Sequence, residues 1–199
     1  MTDYKLVKQL YKIRNTSLEM IEDRGYKVPD HVKKLQFENF RILYETKNIN
    51  ILFDDDDKHV YLYYHIDDTK NLGKNDLKTL VKNIHEETKD LKTLIILVLN
   101  GKPNASVNNE LQGDLYKYTE IFQRKHLVFN VSKHILVPKH IPLTKDEKAV
   151  ILEKYNVTED QLPKIKIDDP MAKYFGMKLG DVCKIMRETP YYRIVVSEV

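Results

Sequence analysis

The sequence predicts two small domains: an α/β domain with a mixed sheet and flanking helices over residues 1–131, and a smaller α+β module over 132–199. Three observations predict this. Helix-period and strand-period apolar segments alternate as far as about residue 130, the pattern of layered α/β folds. The run Leu94-Ile95-Ile96-Leu97-Val98-Leu99 is wholly apolar, as a strand covered on both faces requires. Beyond residue 130 the elements shorten and prolines cluster, at 138, 142, 163, 170 and 190.

The elements follow in order. Residues 3–24 read as a helix, with Leu6, Val7, Leu10, Tyr11, Leu18 and Ile21 on one face and Gly25 as the stop. A second helix after Pro29-Asp30 buries Val32, Leu35, Phe40 and Leu43. Residues 51–53 and 60–66 are strands around an acidic turn. Leu77, Leu80, Val81 and Ile84 mark a helix starting near Asn75 or Asp76, and 93–99 is the buried strand. A helix over 111–122 and a strand over 127–131 complete the first domain. In the module, Thr144-x-x-Glu147 is a capping box that opens a helix through Tyr155. Thr158-x-x-Gln161 repeats it for a short turn closed by Pro163. Asp169-Pro170 supplies an N-cap and first helical residue, with Gly176 as the left-handed stop. Strands over 181–187 and 191–196 end the fold.

Bulk properties exclude several classes. No stretch approaches the ~18 apolar residues of a membrane span, and the N-terminus has no secretory pattern. The single Cys183 has no partner for an internal disulfide, which points to a reducing compartment. Lys plus Arg exceed Asp plus Glu by only 33 to 30, and neither half concentrates the excess. An autonomous nucleic-acid binder needs more, because its affinity rests on neutralising phosphates.

Candidate chemistry is sparse. Asp54-Asp55-Asp56-Asp57-Lys58 contains an Asp-x-Lys pattern that could hold a metal for phosphodiester cleavage. The same run between two strands is ordinary acidic-turn chemistry, and no second acid follows along 60–66. His134 and His140 lack a nearby Cys pair for zinc, and Cys183 lies in a strand pattern that buries its thiol. No Walker-type loop and no Gly-x-Ser-x-Gly elbow occurs. We therefore assign no catalytic residue, no metal and no cofactor. The loop Gly101-Lys102-Pro103-Asn104-Ala105-Ser106 precedes a helix start, where backbone N–H groups and Lys102 favour an anion.

From residue 134 the order of residues becomes specific. His134-x-Leu136-Val137-Pro138-x-His140 leads to Leu143-Thr144-x-x-Glu147, Leu152-x-x-Tyr155 and Gln161-Leu162-Pro163-x-Ile165. Asp169-Pro170-x-Ala172-x-Tyr174-x-Gly176-x-Lys178-x-Gly180 follows, then Val182-x-x-Ile185-x-Arg187 and Tyr192-Arg193-x-Val195. The series closely resembles the small fifth subunit shared by the eukaryotic nuclear RNA polymerases, whose C-terminal domain is similar to a small archaeal polymerase subunit. Tyr4-Lys5-Leu6, Ile13-Arg14 and Asp23-Arg24-Gly25-Tyr26 extend the resemblance more weakly into the first domain.

The resemblance implies a non-catalytic subunit of a multisubunit DNA-dependent RNA polymerase. Its C-terminal module would dock on the largest subunit, and its N-terminal domain would form part of the jaw beside downstream duplex DNA. That domain would share a nuclease-like fold without the activity. The family's DNA-proximal loop reads Thr-Pro-Ser-Ala; Pro103 and Ala105 match it here, whereas Lys102 and Asn104 depart. DNA contact would be weak and non-specific, since phosphates carry no base information. The subunit interface is expected in the stretch His134 to His140, at His134, Val137, Pro138 and His140, and on the last strand, read as an edge able to pair with a partner chain, with Arg187, Tyr192 and Arg193 as polar contributors. No membrane and no small-molecule substrate is implied.

Two departures lean toward a copy from a large DNA virus: a compact first domain, and Glu188-Thr189-Pro190 in place of a longer hairpin loop. The location would be nuclear in a cell, or the host cytoplasm or virion for a virus. The rival functions are a metal-dependent nuclease on the first domain and a regulator that binds polymerase transiently.

Overall fold

Helix α1 (Tyr4–Asp23) forms because Val7, Leu10, Ile13, Met20 and Ile21 recur at the spacing of one helical face, and all are buried. Gly25, at φ 92°, ends it: the left-handed turn returns Gly25 N to Glu22 O and Tyr26 N to Ile21 O. The computed structural model describes residues 4–56, 58–67 and 71–197. The chain divides into units of residues 1–129 and 130–199, each built on a four-stranded sheet.

Where the sequence suggests one helix after Pro29, two form, α2 (Asp30–Lys33) and α3 (Phe37–Glu45). Side chains of α1 explain the break. Tyr11 Oη donates to Leu35 O at 2.7 Å, and the buried Arg14 guanidinium donates to Val32 O. These bonds replace the helical ladder at the two carbonyls. Val32 and Phe40 are buried as expected, while Leu35 and Leu43 are only half-buried.

The first sheet runs β1 (Ile51–Asp55), β2 (Lys58–Tyr64), β3 (Leu94–Leu99) and β4 (Thr119–Gln123) in that order. The β1–β2 pair is antiparallel, with Asp55 opposite Lys58; β2, β3 and β4 run parallel. Helix α4 (Lys74–Thr88) crosses from β2 to β3, capped where the Asp76 carboxylate accepts the Gly73 N–H. Leu77, Val81 and Ile84 of α4 pack on Ile95, Leu97 and Leu99. The other face carries Val60, Leu62 and Tyr64 in register with Leu94, Ile96 and Val98. There α1 covers it: the fully buried Tyr64 lies beside Ser17 and Arg14, and burial pushes its phenol up to about 12. All six residues of β3 are buried, as a strand between two helical layers must be.

Two expectations fail here. Residues 111–122 are not a helix. Helix α5 (Ala105–Glu110) ends beforehand, a 3-10 turn spans Asp114–Tyr116, and β4 follows. Gly113 interrupts the helical run, and the open edge of β3 supplies partners to Thr119–Gln123 that local propensity does not foresee. Residues 127–131 are not a strand either. Helix α6 (Arg124–Leu127) buries Leu127 and leaves Phe129 57% exposed, so no strand face is continuous. Asn130 then caps a 3-10 turn, Val131–Lys133, by accepting the Ser132 N–H at 3.0 Å.

The second sheet has the order β5 (His140–Pro142), β7 (Val182–Ile185), β8 (Tyr191–Val196), β6 (Lys164–Lys166). Only the β6–β8 pair is parallel. Helix α8 (Pro170–Tyr174), N-capped by Asp169, covers one face through Ala172, which packs with Ile165, Cys183, Ile185 and Val195. Helix α7 (Lys145–Tyr155) covers the other through Leu152, against Leu162, Val182 and Ile194. The Lys148 ammonium ties α7 down, bonding Gly180 O at 2.9 Å and Glu159 at 2.6 Å.

The Thr144 capping box forms as expected: Glu147 N–H donates to Thr144 Oγ1 and Thr144 N–H to the Glu147 carboxylate. Those bonds hold the Glu147 carboxyl below its ordinary value. Their support of α7 is therefore present above the ordinary carboxylate range and is lost as pH falls through the lowered folded value. Thr144→Ala is expected to cost the C-terminal unit about 1 kcal/mol, read as a lower urea midpoint with an unchanged slope.

Candidate nucleic-acid and subunit interfaces

The expected DNA-proximal loop lies at the carboxyl end of β3, beside the carboxyl end of parallel β2. In open α/β sheets ligands gather at such strand ends. Lys102 is exposed there and Pro103 half-buried. Asn104 caps α5, its Oδ1 accepting the Val107 N–H at 2.8 Å. One N–H of the helix start is thus already satisfied, and α5 has only six residues. Any anion affinity here rests on the Lys102 ammonium more than on the helix. The far end of α5 is held by Glu110, which accepts from Lys74 at 2.8 Å and Tyr116 Oη at 3.0 Å.

The acidic turn shows turn chemistry. Asp54 pairs with His59 at 2.5 Å, and Asp56, at φ 52°, lies 3.5 Å from Lys27. Asp57 lies outside the described residues. Among the described residues no three His, Cys, Asp or Glu side chains gather as metal ligands. Burial pushes the Cys183 thiol up to about 11, which keeps it protonated and inert.

The interface residues expected in the C-terminal unit fall in two places. His134 is exposed, and its Nδ1 accepts the Leu136 N–H at 3.2 Å; Val137 and Pro138 are half-exposed. His140 lies on β5 with Nδ1 2.7 Å from Pro138 O, so that nitrogen carries the proton. Ile135 and Leu136, 94% and 81% exposed, are the barest large apolar side chains among the described residues. They lie inside the expected His134–His140 stretch without being among the residues named for contact, although an apolar Ile-Leu-Val run before a proline, outside any periodic element, is a visible signal.

The last strand is not an edge, contrary to expectation: β8 lies between β7 and β6. Its aromatic and cationic side chains are engaged within the unit. Tyr192 packs on Tyr155 of α7 with ring centroids 5.9 Å apart. Arg187 and Arg193 lie 5.5 and 5.6 Å from the Tyr191 ring centroid. Among the described residues, Arg193 Nε is buried without a hydrogen-bond partner.

Exposed apolar loop residues, an exposed lysine at a strand end and open sheet edges equip this chain to bind other macromolecules. Comparison with known proteins makes that class specific. A family model described as RNA polymerase Rpb5, N-terminal domain, matches residues 5–84, and one described as RNA polymerase Rpb5, C-terminal domain, matches 129–197. The chain is 32% identical to a Caenorhabditis elegans protein, "DNA-directed RNA polymerases I, II, and III subunit RPABC1", over 94% of this chain and 96% of that one. It is 32% identical to the Dictyostelium discoideum protein of the corresponding name, over 91% of both. The Arabidopsis thaliana "DNA-directed RNA polymerases IV and V subunit 5B" matches at 32%, over 88% of this chain and 81% of that one. This chain belongs to the Rpb5 family of RNA polymerase subunits. These relatives are cellular and lend no support to a viral source. The Lys102 loop lies between the two family-model matches.

Proposed function

We propose that this protein is a structural subunit of a multisubunit DNA-directed RNA polymerase, with nucleotide addition catalysed by other subunits. The carrying observation is that both family domains occur in order on one chain, with relatives aligned over nearly its whole length. In this proposal the C-terminal unit docks on the largest subunit, with exposed Ile135 and Leu136 adding apolar area to the contact at His134, Val137 and Pro138. The N-terminal unit forms part of the jaw beside downstream duplex DNA. A near-neutral domain can serve there, because tethering gives a weak contact a high effective concentration. The location would be the nucleus.

The test is affinity purification from native cells through a high-salt wash. Stoichiometric recovery with the largest subunit is expected; recovery of the protein alone would refute the subunit role, and loss in the wash would make it a transient regulator. The nuclease alternative predicts metal-dependent cleavage of branched or linear DNA that Asp56→Ala abolishes. No cleavage is expected, since Asp54 and Asp56 face His59 and Lys27.

Lys102 is proposed to touch a downstream phosphate. Lys102→Glu is expected to shorten open-complex lifetime roughly threefold at low salt, with the difference vanishing as salt screens the charge. Equal lifetimes at low salt would remove Lys102 from the interface.

A further inference from the structure

We infer that β6 is a docking strand, which takes an extended acidic segment of a partner polymerase subunit by main-chain hydrogen bonding. The inference rests on the proposed subunit role and names the edge that role would use.

The hydrogen-bond pattern of the C-terminal sheet carries the argument. Pro163 O accepts from Ile194 N at 2.8 Å, and Ile167 N donates to Val196 O at 2.9 Å. Between them, Ile165 sits opposite Val195 and directs its own groups to β8. Alternation turns the main-chain groups of Lys164 and Lys166 to the outside. Lys166 O is taken by Asp169 N at 3.0 Å. Among the described residues, Lys164 N–H, Lys164 C=O and Lys166 N–H remain, two donors and an acceptor in the spacing that one added strand satisfies.

The opposite edge is closed to such addition. On β5, Lys139 O and Leu143 N bond to β7, so residues 138, 140 and 142 face outward. Two of these are prolines, without N–H, and Pro138 O is already bonded by the His140 ring. Only His140 offers an outward donor.

Charge selects the occupant. A shallow concavity of about 370 Å³ runs along β6, lined by Lys164, Ile165, Lys166, Asp168, Asp169 and Arg193. Its two acids are engaged: Asp168 pairs with Lys173 at 3.2 Å, and Asp169 caps the Met171 N–H at 2.8 Å. Lys164 and Lys166 are exposed, and among the described residues the Arg193 Nε lacks a partner. The lining carries three cations against two acids, so the edge is net positive, which suits acidic side chains on the incoming strand. A second copy of this chain fits poorly, since β6 paired with itself sets lysines opposite lysines.

The test is amide hydrogen exchange at Lys164 and Lys166, in the free full-length protein and in polymerase assembled with it. Both amides should exchange freely in isolation and slow about 100-fold or more on assembly, as a buried ladder does. Exchange at the free rate within assembled polymerase overturns the inference and leaves the subunit role standing. Failure to assemble overturns the subunit role and this inference with it. Protection that rises with the concentration of the free protein assigns the edge to a second copy and also overturns it.

Two variants add an independent measure. Lys166→Pro removes one of the two outward donors without touching the β8 ladder, and Lys164→Glu/Lys166→Glu reverses the charge while keeping the main chain. Each is expected to be released from polymerase about tenfold faster, the factor given by one lost main-chain bond or its charge equivalent. Unchanged release of both variants overturns the proposal.

Discussion

Glu120→Ala is expected to destabilise the N-terminal unit by about 2 kcal/mol, between the cost of breaking a surface ion pair and that of breaking a fully buried one, since this pair is part-buried. Glu120 sits on β4, and its carboxylate lies 2.8 Å from the Arg24 guanidinium at the end of α1. The Arg24 side chain is only 6% exposed and lies over the Phe122 ring, 5.9 Å from its centroid. It therefore has little water to replace a lost carboxylate. A surface pair of the same length would be worth well under half as much. The paired change Arg24→Met/Glu120→Leu should recover stability to within about 1 kcal/mol of the original, because an apolar pair needs no charge desolvated. Urea unfolding of the three proteins measures both effects. A Glu120→Ala loss below about 1 kcal/mol would mean that water reaches the pair.

Leu97→Ala should cost about 2–5 kcal/mol, the range for a buried leucine whose cavity closes incompletely. Leu97 has no exposed surface and shares one core cluster with Leu77, Val81 and Ile84 of α4, together with Val107 and Tyr116. Helices cover both faces of β3, so the neighbours have little freedom to collapse inward. That loss is a large fraction of the stability of an ordinary domain. Amide protection in β2, β3 and β4 should fall sharply. Protection in β7 and β8 should hold, because Cys183, Ile185, Val182 and Ile194 belong to separate clusters of the C-terminal unit. Equal loss in both sheets would show that the two units unfold together.

Features governed by near neighbours in the chain were legible in the sequence. The Thr144–Glu147 box, the Asp169-Pro170 helix start and the glycine stops at 25 and 176 depend on the sterics and hydrogen bonding of four or five residues. Strand β3 was legible too, since six successive apolar residues leave no polar face. Failures came where a distant partner decides. Thr119–Gln123 becomes a strand because the edge of β3 was free, and the helix after Pro29 breaks where Tyr11 and Arg14 reach its carbonyls.

The candidate interfaces divide in the same manner. The His134–Pro138 stretch was recognisable from its order of residues, and the fold added how fully Ile135 and Leu136 stand exposed. Arg187 and Arg193 lie over Tyr191, and Tyr192 packs on Tyr155, contacts that run within one unit and leave no trace in local sequence.

By itself the sequence determined the family, the capping chemistry and the strand that must be buried, because each is a matter of residue order or short-range sterics. Tertiary structure decided that β8 is interior and that β6 and β5 are the edges. It also decided which lysines present their main chain outward. Strand neighbours are joined across the fold, and a register slip of one residue would exchange the roles of Ile165 and its flanking lysines.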